Sequence, residues 1–382
     1  MKTKMKMGAT LALVAVLGGV LTACSPTDDT QAGAAATTTA CASAAPAGPP
    51  PGAGAPQGGA PAMTLATTIA PTDTSTSVVL DDSGPQIQCG TTPLALHSDV
   101  VYDTPTAGGG PLPLKLDVQV PQTAGKKPLV VYLTGGGFVS AVKTANLDQR
   151  TYVAEQGYVV ASIEYRTATN GATYTDAVAD VKSAIRYLRA HAAEYDIDPA
   201  EVAVWGQSAG GYLAAMTGVT NGLAAFEGTG NPGQDSTVQA VVDQFGASDI
   251  SKLAADFDEA AQKADYAPGN ALAQFVFGPG TKLSIVDDPA KTTAADPVTY
   301  VTANTPPFAL LHGTADQVVS PSQTLALHNA LRAKGVDSTR YVVQGGNHGD
   351  LSFLPGVAKA SNQWSSEQVV GDIAGFLGKQ LG

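Results

Sequence analysis

Residues 202–215 read VAVWGQSAGGYLAA, an apolar run broken by Gly206, Gln207, Ser208, Ala209 and Gly210. Val202 to Trp205 have the β-branched and aromatic character of a buried strand, and Tyr212 to Ala215 continue as a helix former. A chain passes from strand to helix across so few residues only by a sharp turn. Glycine on either side of Ser208 removes the Cβ atoms that such a turn would force into neighbouring chain. The residue at its apex is held under backbone strain, with its side chain pushed out at the top of the sheet. A serine hydroxyl there is presented to solvent and to whatever binds above the sheet edge.

The remainder of the chain supplies the sheet. LKLDVQVP (114–121) alternates as a strand, and PLVVYLTGG (128–136) and YVVASIEYR (158–166) are short buried-strand runs. DAVADVKSAIRYLRAHAAEYDID (176–198) spaces its apolar residues as a helix. VQAVVDQFGASD (238–249), PFALLHGTAD (307–316) and TRYVVQGGNHG (339–349) read as three further strands, and QVVGDIAGFLGKQL (368–381) closes the chain as an amphipathic helix. Strands alternating with helices predict an α/β fold, a mainly parallel central sheet with helices on both faces. Residues 250–300 fit the alternation poorly. Two readings stay open for them: a small cap over the carboxyl edge of the sheet, or an ordinary crossover with a long loop.

A serine hydroxyl is a poor nucleophile at neutral pH and needs a base within hydrogen-bond reach and a carboxylate that orients the base. On a strand–turn–helix scaffold of this kind the acid and then the histidine follow the serine, each on a loop after a later strand. Asp316 stands just beyond FALLHG and His348 just beyond YVVQGG. One helix and one strand separate them, a complete crossover, so their loops emerge side by side. His191 and His328 fall within helical patterns, His97 precedes the serine, and His312 ends its strand, where it shapes the turn before Asp316. Asp243 and Asp249 belong to the preceding strand and its exit, and Asp350 is too close to His348 to approach its ring. Developing negative charge would be met by backbone N–H groups: Ala209 after the serine, and the glycines of TGGGF (134–138) after an earlier strand. The TGGGF run does not continue into the GxxxxGK[ST] of a phosphate loop. The three cysteines show no metal-ligand spacing, so neither a metal nor an organic cofactor is expected.

The amino-terminal quarter carries different information. Lys2, Lys4 and Lys6 precede an apolar run ending at Leu21-Thr22-Ala23-Cys24. This is the layout of an export signal, and the run falls short of the about 20 residues a spanning helix needs. Its end resembles the lipobox of bacterial lipoproteins, which implies lipidation at Cys24, residues 1–24 as a lipoprotein signal and a membrane-anchored place in the cell envelope. A soluble secreted protein is the alternative. Residues 25–90 are expected as an Ala/Thr/Pro/Gly-rich disordered tether, because stretches such as APAGPPPGAGAPQGGAPA cannot bury enough apolar surface to offset chain entropy. About 50 such residues span on the order of 40 Å. Cys41 and Cys89 either pair in that oxidising compartment or leave Cys41 free. The formal net charge of −12 provides no basic face for nucleic acid.

Together TGGGF (134–138), the Asp198-Pro199 pair leading into VAVWGQSAGG, HGTAD (312–316) and GNHG (346–349) are similar to the α/β-hydrolase esterases of the hormone-sensitive-lipase-like branch, and to bacterial carboxylesterases with an acetyl- or feruloyl-esterase-type domain. The resemblance covers about residues 95–380, within a catalytic domain set at 91–382. It implies an α/β-hydrolase fold, a small-molecule ester substrate, Ser208, Asp316 and His348 as the catalytic triad, and Gly136, Gly137 and Ala209 as donors to the oxyanion. One position departs. The family usually opens its glycine loop with His, and this chain has Thr134. Main-chain donors survive that change, whereas the bonds that shape the loop differ. A serine peptidase of the same fold and a non-catalytic envelope-anchored binding module are the other functions compatible with these residues.

Overall fold

The computed structural model describes residues 39–42, 64–81, 84–349, 351 and 363–382, and the fold belongs to the unit spanning residues 37–382. Among the described residues nine strands form its central sheet: β1 (Val78–Leu80), β2 (Leu94–Asp103), β3 (Leu114–Pro121), β4 (Lys127–Leu133), β5 (Val159–Ile163), β6 (Ile197–Gln207), β7 (Ala240–Gln244), β8 (Phe308–Gly313) and β9 (Ser338–Val343). Their order across the sheet is β1-β9-β8-β7-β6-β4-β5-β3-β2. From β1 to β5 every neighbouring pair is parallel, and only β3 and β2 join antiparallel at the far edge. This is an α/β-hydrolase fold.

The helices are α1 (Leu147–Glu155), α2 (Tyr174–Ala190), α3 (Ala209–Val219), α4 (Glu259–Asp265), α5 (Ala271–Phe277), α6 (Pro289–Thr293), α7 (Ser322–Ala333) and α8 (Glu367–Leu381). Parallel strands must be covered on both faces, and the period of two in each strand divides the core accordingly. In β4, Leu129, Val131 and Leu133 pack with Val181, Ile185 and Leu188 of α2 and Leu213 of α3. Val130 and Tyr132, the alternate residues, pack with Val153 of α1 and Val370, Ile373 and Leu377 of α8. The helix over 174–190 is shorter than the apolar periodicity suggests, because the chain from Ile197 onward is already in β6.

The expected tether is corrected at its carboxyl-terminal end. The described residues between 64 and 90 are part of the fold: β1 pairs with β9, and Ala66, Leu80 and Ile87 are buried. The polar composition of this stretch hides a short apolar run, Val78-Val79-Leu80, whose partner is the last strand among the described residues. Arg340 on β9 fastens the segment by donating to the Asp73 carbonyl, to Ser77 Oγ and to Thr72 Oγ1. Of the two states open to the cysteines the structure shows the paired one, with Cys41 and Cys89 joined by a disulfide beside a two-residue pairing of 39–40 with 88–89. Cys24 and the apolar run before it lie outside the described residues. Among the described residues no helix is long and apolar enough to cross a membrane.

The 250–300 segment is the crossover from β7 to β8, and it carries α4, α5 and α6. It also covers the carboxyl end of β4: Phe275 of α5 stacks on Phe138 at a centroid distance of 4.7 Å, and Tyr212 of α3 donates its hydroxyl to the Ala295 carbonyl at 2.8 Å.

Candidate active site

The turn after β6 has the geometry its sequence demands. Ser208 precedes α3 with φ 55° and ψ −121°, a conformation costly for any residue with a Cβ. The glycines around it are enforced by backbone, not by flexible side chains. A Cβ on Gly206 would lie 2.1 Å from the Gly210 carbonyl oxygen, and one on Gly210 would lie 2.1 Å from the Leu133 carbonyl oxygen. Three further hydrogen bonds steady the turn: the Ser208 N–H donates to the Gln244 carbonyl at 2.9 Å, and the Gln207 amide donates to Gln149 at 2.8 Å and Gln244 at 3.1 Å.

Ser208, Asp316 and His348 meet at this edge of the sheet. Asp316 follows β8 and His348 follows β9, neighbouring parallel strands in register. His348 Nε2 lies 2.7 Å from Ser208 Oγ, and His348 Nδ1 lies 2.8 Å from Asp316 Oδ2. A carboxylate only accepts, which places the ring proton on Nδ1 and leaves Nε2 to accept from the serine hydroxyl. Asp316 is fully buried, and Oδ1 accepts from the N–H groups of Val318 and Val319, both at 2.9 Å. Burial pushes its carboxyl up, but the charge of His348 and the hydrogen bond from His312 overcome this and hold it well below the usual carboxylate range. The site thus contains a stable anion, an oriented imidazole and a hydroxyl poised to lose its proton.

The glycine loop lies against the serine. A Cβ on Gly135 would come within 3.1 Å of Ser208 Cβ, and one on Gly136 would fall 2.1 Å from the Ser140 carbonyl oxygen. Val139 and Ser140 both donate to the Gly136 carbonyl, so the loop folds into a tight turn. Among the described residues the N–H groups of Gly136 and Gly137 donate to no atom of the chain, and Ala209, as the first residue of α3, has no intrahelical acceptor. Thr134 is buried; its carbonyl accepts from the Tyr165 hydroxyl at 2.6 Å, and its Oγ1 has no partner among the described residues.

Other candidates are separated from the serine. His191 contacts the Tyr187 carbonyl, His328 contacts Ser338 Oγ, and His97 packs edge-on against Tyr195. Asp243, pushed up to about 7 by burial, accepts from the Gly246 N–H behind the turn, and Asp249 pairs with Lys252. Asp350 lies outside the described residues. The Gly228, Gly230 and Gly233 spacing between α3 and β7 matches GxGxxG but neither follows a strand nor opens a helix, and Arg186 donates to the Gly230 carbonyl.

Sequence reasoning missed the groups that hold the histidine loop. Asn347 Oδ1 accepts from the N–H groups of His348 and Gln317, and its amide donates to Gln317 Oε1 at 2.7 Å, bracing the loops of base and acid together. Phe245 packs its ring 4.7 Å from that of His348 and 4.6 Å from that of Trp364, whose indole donates to the Asn347 carbonyl. No local signal marks Trp364, which returns to the site only through the chain's final turn before α8.

Residues 116–331 match the BD-FAE family. The chain belongs to the BD-FAE family. Among curated relatives of this BD-FAE member, esterase LipC of Mycobacterium tuberculosis is 30% identical over 58% of this chain and 53% of its own, and the probable carboxylic ester hydrolase LipM of the same organism is 28% identical over 54% and 46%. The chain spans about half the length of the curated relatives it matches. Two solved structures are similar over more of it. A truncated carbohydrate esterase from gut microbiota superposes with a TM-score of 0.64 at 26% identity, covering 78% of this chain and 99% of that one. Esterase 2 of Thermogutta terrifontis with propionate bound gives 0.55 at 25% identity, covering 76% and 94%.

Proposed function

We propose that this BD-FAE member is a serine carboxylesterase, and the observation that carries the reading is the pair of hydrogen bonds through His348, 2.7 Å to Ser208 Oγ and 2.8 Å to Asp316 Oδ2. The esterase relatives and structural neighbours support it. Ser208 Oγ attacks the ester carbonyl as its proton passes to His348 Nε2. The carbonyl oxygen takes the negative charge and is met by the N–H groups of Gly136, Gly137 and Ala209. Collapse of this intermediate breaks the bond to the alcohol, which leaves with the proton held on Nε2, while the acyl group stays bound to Ser208 Oγ. Water then adds to the acyl carbonyl, giving one proton to Nε2, and the acid departs as Ser208 recovers its proton. Asp316 stays ionised throughout, orienting the ring and stabilising its charged form. Side chains, backbone amides and water supply every group in this sequence. We extend the proposal to location: a chain exported by residues 1–24, lipidated on Cys24 and held at the membrane.

Ser208→Ala tests the reading. It should abolish hydrolysis of p-nitrophenyl acetate while shifting the thermal midpoint by no more than a few degrees. Retained hydrolysis would refute it.

A further inference from the structure

Asp316 is contacted by two imidazoles. His348 Nδ1 reaches Oδ2 at 2.8 Å, and His312 Nε2 reaches the same oxygen at 3.2 Å from a fully buried position. His312 Nε2 also lies 3.1 Å from the Val319 carbonyl, and its Nδ1 lies 3.1 Å from Thr324 Oγ1. Thr324 Oγ1 in turn faces Arg340 Nε at 3.1 Å.

The protons along this line are assigned by elimination. A guanidinium only donates, so Arg340 gives its Nε–H to Thr324. Val319 O and Asp316 Oδ2 only accept, so His312 Nε2 carries the hydrogen, which it donates to Val319 O at 3.1 Å while lying 3.2 Å from Asp316 Oδ2. A neutral imidazole then has a bare Nδ1, and the Thr324 hydroxyl must donate to it. The links Arg340 Nε to Thr324 and Thr324 to His312 Nδ1 thus donate in one direction, toward the ring that lies against Asp316. Arg340 is itself anchored by the Pro321 carbonyl and by the Asp73 carbonyl, Ser77 and Thr72 of the segment that leads into β1. The charged groups facing this line are Asp316 on one end and Arg340 on the other, with His348 beyond Asp316 and the Asp73 and Asp256 carboxylates acting on Arg340.

We propose that His312 is a positioning residue for the esterase reaction: fixed as the Nε2–H tautomer by Thr324 and Arg340, it holds the Asp316 carboxylate in the plane that His348 needs and draws off part of its charge. The inference rests on Ser208, His348 and Asp316 acting as the triad of an esterase. Without this donor Oδ1 keeps the Val318 and Val319 N–H groups but Oδ2 is held by His348 alone, so the carboxylate is less firmly fixed and more of its negative charge acts on that ring. The first effect lowers turnover; the second strengthens the imidazolium and raises the pH at which the base becomes available.

The test compares wild type, Ser208→Ala, His312→Phe, His312→Gln and Thr324→Val on p-nitrophenyl acetate across pH. His312→Phe fills the space without a donor. It should lower kcat by about 10- to 100-fold, the worth of one hydrogen bond to a buried charge, with KM little changed. The acid limb of kcat/KM should move to higher pH. His312→Gln, whose amide nitrogen replaces Nε2, should recover most of kcat and return the limb. Thr324→Val, which frees the tautomer, should lower kcat several-fold and move the limb the same way, and it carries the test alone if the phenylalanine variant fails to fold. Unchanged kcat and pH profile in His312→Phe and Thr324→Val would overturn the proposal. So would a loss in His312→Phe with an unmoved limb and no rescue by glutamine, which marks a merely structural role. Inactive wild type, or active Ser208→Ala, defeats the esterase reading instead; an active wild type with inactive Ser208→Ala and unaffected His312 and Thr324 variants defeats only the positioning role.

Discussion

Ser208 stores strain, and two substitutions that both delete its hydroxyl measure it. At φ 55° and ψ −121° the residue lies outside the regions open to side chains with a Cβ, a cost of about 1–3 kcal/mol. Alanine retains that cost, because it keeps the Cβ. Glycine releases it and gives back roughly 0.4–1 kcal/mol through the greater freedom of the unfolded chain. The lost hydrogen bond to His348 is common to both variants and cancels. Ser208→Gly should therefore be the more stable of the two by about 1 kcal/mol, the reverse of the order in a helix interior, where alanine wins by a similar margin. Urea melts followed by circular dichroism would show equal slopes with a higher midpoint for glycine, and thermal melts a gain of about 2–4 °C for that difference. An alanine variant equal to or more stable than the glycine one would refute the claim that the turn is strained.

Two further outcomes follow from burial and charge. A chain beginning at residue 91 should be less stable by several kcal/mol than one beginning at 64, since it loses the buried Leu80 and Ile87 side chains, worth about 1.5–3 kcal/mol each; equal melting of the two would restore the tether boundary that composition alone suggests. Asp243 bears on pH: its carboxyl is raised to about 7 in the fold from 3.8, so the folded state binds the extra proton and stability falls as pH rises between about 4 and 7. Asp243→Asn keeps an acceptor for the Gly246 N–H and removes the titration, so its stability should gain on that of wild type over this window. Parallel pH–stability curves for the two would show that burial of Asp243 does not perturb it.

The fold is legible where chemistry is local. Alternating buried runs and helical periods announce a parallel sheet, and the glycines flanking Ser208 announce a turn that backbone contacts to Gly210 and Leu133 do enforce. Asp316 and His348 can be named because each leaves a strand in a recognisable loop, and adjacent crossovers bring such loops together. What escapes depends on distant partners. Val78–Leu80 looks like the end of a polar tether until β9 is beside it. His312, at the end of its strand, suggests no more than a turn. It lies four residues from Asp316, and only the folded turn after β8 brings its ring within 3.2 Å of the carboxylate. Trp364 closes over Phe245 and the His348 loop from a segment with no pattern of its own.

The central claim is that Ser208 is a nucleophile activated by His348. Reaction with a fluorophosphonate probe followed by peptide mass spectrometry tests it without assuming any substrate. One adduct is predicted, on Ser208, forming rapidly in wild type and lost in His348→Ala. Labelling at another residue, or undiminished labelling of Ser208 without His348, would contradict it.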